Sequence, residues 1–148
     1  MGNSPGSQPL PTAAELCAVV WWHLEKHPDS RPLQEDIARI LGMSPRRLRR
    51  AWQETGRSSV RELITYGCLS YALWLIHADH CKAVAAVQLA GFRSYWNANR
   101  QCRRYAGCTL GRTRERFPFK LDIHQLQAKL AELRARDPPG RNGHDKRS

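Results

Sequence analysis

The chain has 148 residues, 41% of them hydrophobic. This is enough for one domain, or two very small ones sharing a core, and it sets aside global disorder. The net charge of +11, from 24 Lys and Arg against 13 Asp and Glu, suits a polyanion: a nucleic acid or an anionic surface. No apolar run approaches the roughly 18–20 residues that span a bilayer. The start, MGNSPGSQPLPT, lacks the charged end and apolar core of a secretory signal. No membrane partner and a cytoplasmic location are therefore expected.

Residues 1–11 are rich in Pro, Gly and Ser and read as a flexible tail. From Thr12 to His27 the spacing predicts a helix: Thr12 can cap it, and Leu16, Val19, Val20 and Leu24 form one stripe. Trp21 and Trp22 are adjacent, so both can hardly face the same core. Pro28 ends the helix. Pro32 is expected to open the next one, with Leu33, Ile37, Ile40 and Leu41 as its apolar face and Gly42 ending it in a left-handed turn. Ser44 then caps a further helix that starts at Pro45 and runs to about Thr55, with Leu48, Ala51 and Trp52 inward.

A helix, a short glycine-containing turn and a second helix rich in arginine form the pattern of a helix-turn-helix. A generic helical hairpin has the same outline. The cluster Arg46, Arg47, Arg49 and Arg50 favours the former, since its self-repulsion is a cost that an anionic partner relieves. From Ser58 to about Asp79 a longer helix follows. Its second half is apolar nearly all round, which predicts burial between other elements or against a partner. Gly67, in its middle, marks a close approach.

The pattern then repeats. Lys82 to Ala90 is a short helix, Gly91-Phe92 a turn and Ser94 a cap. A helix carrying Tyr95, Trp96, Asn97, Asn99, Arg100, Arg103 and Arg104 follows and closes at Gly107. Two such units about 50 residues apart, on a rod of roughly 30 Å, could reach successive major grooves about 34 Å apart.

The five cysteines, Cys17, Cys68, Cys81, Cys102 and Cys108, form no C-x2-C pair, and their odd number argues against a disulfide framework. They read as structural thiols. A competing reading makes Cys102 or Cys108 a redox sensor, because Arg103 and Arg104 would favour the thiolate. His23 and His27, and His77 and Cys81, are each four apart, but two ligands make a poor metal site. No catalytic residue, metal or cofactor is expected.

The segments DIARILGMSPRRLRRAWQETG and AGFRSYWNANRQCRRYAGCTLGRTRE resemble the DNA-binding domain of the AraC/XylS family of bacterial transcription regulators. The match covers about residues 14–116. In the first unit it rests on Ile37-Ala38, Gly42-Met43-Ser44, Leu48, Trp52 and Thr55-Gly56. In the second it rests on Gly91-Phe92, Arg100, Arg104-Tyr105, Gly107, Thr109 and Arg114. The resemblance implies an all-α fold of two helix-turn-helix subdomains, 12–57 and 80–116, joined by a linker helix at 58–79. It implies base contacts from Arg46, Arg49 and Arg50 in the first unit, and from Trp96, Asn97, Asn99 and Arg100 in the second. Arginine can pair bidentately with guanine and asparagine with adenine. Arg47, Arg57, Arg103 and Arg104 are assigned to phosphates. The departures are the stretch TYGCLSY, which lacks the family's arginine, Leu110 in place of a proline, the small residues of AVAAVQLA, and Cys102. The last two point to a second unit that is looser or that engages DNA only weakly. With no room for a sensor domain, the chain resembles stand-alone members, and ligand control within it is not expected.

Beyond Arg116, the stretch 117–136 holds an amphipathic helix, Asp122 to Arg136, with Ile123, Leu126, Leu130 and Leu133 on a two-heptad seam. That seam either packs back onto the domain or, with Tyr71 and Trp74, forms a homodimer or protein-partner surface. Residues 137–148 are a polar, disordered tail. The expected function is a sequence-specific, double-stranded-DNA-binding transcription regulator, an activator by resemblance, with RNA polymerase as a possible contact. The alternatives are an adaptor with a degenerate domain and, less favoured, a DNA-repair enzyme with a reactive cysteine.

Overall fold

A computed structural model describes residues 11–54, 59–115 and 122–136. The two expected tails, Thr55, Gly56, Arg57 and Arg116 lie outside the described residues, apart from Pro11. Among the described residues there are seven α-helices and no strand: α1 (Ala13–Lys26), α2 (Gln34–Leu41), α3 (Pro45–Glu54), α4 (Val60–His77), α5 (Ala83–Leu89), α6 (Tyr95–Ala106) and α7 (Ile123–Arg136). A 3-10 turn, Leu110–Glu115, follows α6.

Local chemistry explains most of the helix ends. Thr12 caps α1 reciprocally: its hydroxyl accepts from the Glu15 amide at 3.1 Å, and the Glu15 carboxylate accepts from the Thr12 amide at 2.9 Å. Ser59 and Glu62 cap α4 in the same way. Thr12→Ala is expected to lower unfolding free energy by about 1 kcal/mol, measured by denaturant titration. An unchanged midpoint would mean that α1 is held by its packing alone.

One expectation fails at α2. Pro32 does not open the helix; Leu33 is its cap, in extended conformation, and the Asp36 carboxylate accepts from the Leu33 amide at 2.8 Å. A capping residue sits off the helical stripe, so Leu33 is 60% exposed and not part of the apolar face. Ile37 fills that face instead, at 1% exposure, with Ile40 and Leu41 half-buried.

Helix α4 is the centre of the fold, touching α1, α2, α3, α5, α6 and the 3-10 turn. This explains an apolar second half: Leu69, Ala72 and Leu73 are fully buried. Gly67 sits where α1 crosses, and a Cβ there would lie 3.0 Å from that of Val20. The crossing also has a buried polar tie, with Trp21 Nε1 donating to Ser70 Oγ at 2.9 Å and Ser70 donating to the Gly67 carbonyl at 2.9 Å. Trp21 thus faces inward, while Trp22 is half-buried with the Lys26 ammonium 5.0 Å from its ring.

Helix α7 folds back along α1. Leu126, Leu130 and Leu133 are buried in the same core as Leu16 and Val20, so they present no exposed seam to a partner. An amphipathic helix of two heptads finds its apolar neighbour within the chain. Arg134 pairs with Glu25 across the same contact.

Candidate nucleic-acid interface

The turns α2–α3 and α5–α6 are built alike. Gly42, at φ +75°, donates to the Arg39 carbonyl at 3.1 Å, and Met43 reaches back to Ala38 at 2.9 Å. Gly91, at φ +86°, donates to Gln88 at 3.0 Å, and Phe92 reaches back to Val87 at 3.1 Å. This is the paired closure of a helix ending in a left-handed residue, which glycine adopts without strain. A serine then caps the next helix: Ser44 Oγ accepts from the Arg47 amide at 3.1 Å, and Ser94 Oγ from the Asn97 amide at 3.0 Å. The second turn is one residue longer, through Arg93.

Counted from each serine, most corresponding positions share burial. Leu48 and Ala98 are buried, as are Trp52 and Cys102. Arg46 and Trp96 are exposed, as are Arg50 and Arg100. The second helix therefore turns the same face inward, on smaller side chains.

The outward face of α3 is arginine. Arg46, Arg49 and Arg50 are exposed and Arg47 is half-buried. The first turns of α1, α2 and α4 carry acidic residues that offset the positive end of the helix dipole; those of α3, α5, α6 and α7 carry none. On α3 that turn holds Arg46 and Arg47 instead, so positive charge accumulates where an anion would be favoured.

On α6, Trp96 is 76% exposed. With Asn99, Arg100 and Arg103 it lines a shallow hollow of about 140 Å³. Asn97 is half-buried. Two expected contacts are changed by the structure. Asn99 Oδ1 accepts from the Leu110 amide at 2.9 Å, so the bidentate pairing an adenine would need is already half used in holding the 3-10 turn. Arg104 pairs with Glu62 at 2.9 Å and lies 5.4 Å from the Tyr105 ring, so it ties α6 to α4.

Three further arginines join the surface. Arg31, in the loop before α2, and Arg61, on α4, line a groove of about 680 Å³ with Arg49. Arg31 also donates to Thr65 Oγ1 at 2.5 Å and to the Arg61 carbonyl at 3.3 Å. Arg112 shares a hollow of about 330 Å³ with Arg103. They are scattered through the sequence, and no local pattern marks them.

The thiols do not support a redox sensor at Cys102. It is fully buried, and burial, then its neighbour Cys108, pushes its pKa up to about 12; neither Arg103 nor Arg104 opposes the shift. Burial does the same to Cys17 and Cys68. His77 is engaged with Thr113 Oγ1 at 3.3 Å rather than with Cys81. Among the described residues, no group of three or more His, Cys, Asp or Glu could hold a metal ion, and no helix is long and apolar enough to cross a membrane.

Among the described residues, which form helices and loops, a glycine-turned helix pair with an arginine-faced second helix defines a helix-turn-helix protein, a fold consistent with DNA-binding regulation in general. The chain belongs to the helix-turn-helix domain family, which matches residues 37–116, just over half its length, and is linked to AraC/XylS-type regulators. No curated protein and no solved structure matches the chain. Helices α1 and α7 lie outside the family match.

Proposed function

We propose that the protein is a sequence-specific regulator of transcription that reads double-stranded DNA with two recognition helices, α3 and α6. The two units, 12–57 and 80–116, are joined by α4. The observation that carries the reading is the repeated turn-and-cap, which supports equivalent roles for Arg46, Arg49 and Arg50 on one helix and Trp96 and Arg100 on the other. A 76% exposed tryptophan among arginines is costly in water and suits apolar contact with a thymine methyl in a groove. Arg47 and Arg103, with Arg31, Arg61 and Arg112, serve phosphates. Asn97 remains a base-contact candidate, whereas Asn99 and Arg104 act in holding α6. Activation and an RNA polymerase contact are what the AraC/XylS resemblance implies.

Selection of bound sequences from a random duplex pool tests this. Two enriched blocks about one helical turn apart are expected. Arg49→Ala is expected to lose about 1–3 kcal/mol at the selected site and to relax preference in one block only. A single block would remove α6 from base reading. No enrichment, with binding that falls steeply with salt, would leave a charged adaptor.

A further inference from the structure

Apolar side chains share the groove that holds Arg31, Arg49 and Arg61: Leu33, Pro45 and Ile64 line it as well. It lies between the start of α2, α3 and the first half of α4. Its volume of about 680 Å³ falls within the roughly 300–1,000 Å³ of small-molecule pockets. Leu33 is the residue out of place. It occupies the N-cap of α2, a position that favours Ser, Thr, Asp or Asn, and it makes no side-chain cap bond. Helices α1, α3, α4 and α6 all use a hydroxyl there. A leucine at this position forgoes the cap and leaves its own side chain 60% exposed. A local rule broken with no local compensation marks a side chain that serves something outside the fold.

The charges of the groove are unbalanced. Three guanidinium groups share it with one carboxylate, that of Glu35. Arg31 is held by Thr65 and by the Arg61 carbonyl. Neither the Arg49 nor the Arg61 guanidinium has a partner among the described residues. An anion in the groove relieves their mutual repulsion, and the arginine fork suits a carboxylate. A DNA phosphate meets the same charge, but it offers nothing apolar to Leu33, Pro45 and Ile64.

We infer that the groove binds a small organic anion with an apolar body, its charge held by Arg49 and Arg61 and its apolar part against Leu33. Arg49 also belongs to the outward face of α3. An anion seated on it therefore competes with DNA; this second step rests on the DNA-reading role proposed above, whereas the site itself does not.

Calorimetric titration of the full chain, without DNA, with 2-naphthoate, neutral 2-naphthamide and inorganic phosphate separates charge from apolar contact. 2-Naphthoate is expected to bind about tenfold more tightly than either of the others. Arg61→Gln, at an exposed position, is expected to remove most of the margin over 2-naphthamide. Leu33→Ser supplies a favoured cap, so the variant is expected to fold with no loss of stability. It is expected to bind 2-naphthoate about three- to tenfold more weakly. Equal binding of 2-naphthoate and 2-naphthamide, phosphate binding as tight as that of 2-naphthoate, no binding at all, or an unchanged affinity in Leu33→Ser would overturn the site. At constant ionic strength, saturating 2-naphthoate is expected to weaken duplex binding about tenfold. An unchanged duplex affinity would overturn the competition alone. Failure of sequence selection in the duplex pool would instead overturn the proposed regulator, because the 2-naphthoate titration is read without DNA.

Discussion

Gly91→Ala is expected to destabilise the protein by about 2–5 kcal/mol, roughly twice the effect of the same change at Gly42. Both glycines have a left-handed backbone, at φ +86° and +75°, where an L side chain costs roughly 1–2 kcal/mol. Their surroundings differ. A Cβ at Gly42 would meet nothing within 4 Å, whereas at Gly91 it would lie 3.0 Å from the Arg31 backbone nitrogen and 3.1 Å from its Cα. Backbone does not swing aside as a side-chain end does, so overpacking of about 1–3 kcal/mol adds to the strain. The contact belongs to a wider junction: the Asp29 amide donates to the Leu89 carbonyl at 3.1 Å, seating the second turn against the loop between α1 and α2. Parallel urea titrations of the two alanine variants decide the matter. Equal small losses would show that this junction yields easily.

Leu126→Ala is expected to cost about 2–5 kcal/mol, the range for emptying a leucine site in a packed core. The Leu126 side chain is 0% exposed and lies among the residues that α1 and α4 contribute to the core. The loss is expected to be the same at every protein concentration, because it is a loss within one chain. A seam for a partner would behave differently: the variant monomer would keep its stability, and only a concentration-dependent share of the melting temperature would disappear. Thermal melts of wild type and variant across a wide concentration range distinguish the two. A loss that grows with concentration would return α7 to the role of an interface.

Much of the fold was legible because the relevant signals are local. Thr12, Ser44 and Ser94 announce helix starts through hydroxyls that bond amides three residues on. Gly42, Gly91 and Gly107 announce ends through a backbone conformation that most residues avoid. The stripe in α1 and the buried Leu48 and Trp52 followed from spacing alone. The arginines of α3 were legible for a related reason. A helix that buries Leu48 and Trp52 turns Arg46, Arg49 and Arg50 outward, whatever it packs against.

The remainder depended on residues far apart in the chain. Asn99 looked like a base reader until the Leu110 amide, eleven positions on, took its oxygen. Arg104 looked like a phosphate contact until α4 brought Glu62 to it from 42 residues away. The α7 seam pointed to the domain first and to a partner second, since an apolar stripe states that it must be covered but not by what. Arg31 and Arg61 carried no mark of a shared surface, and Glu25 and Arg134, 109 residues apart, no mark of an ion pair.

The amino-acid sequence by itself thus determined the helices, the two glycine turns and the outward arginine face, because backbone preferences, caps and helical periodicity act within a few residues. Only the tertiary structure decided which polar groups were already engaged, which apolar stripe covered which, and where charges and rings met. Those outcomes depend on close approach between segments whose separation along the chain bears no relation to their distance in space.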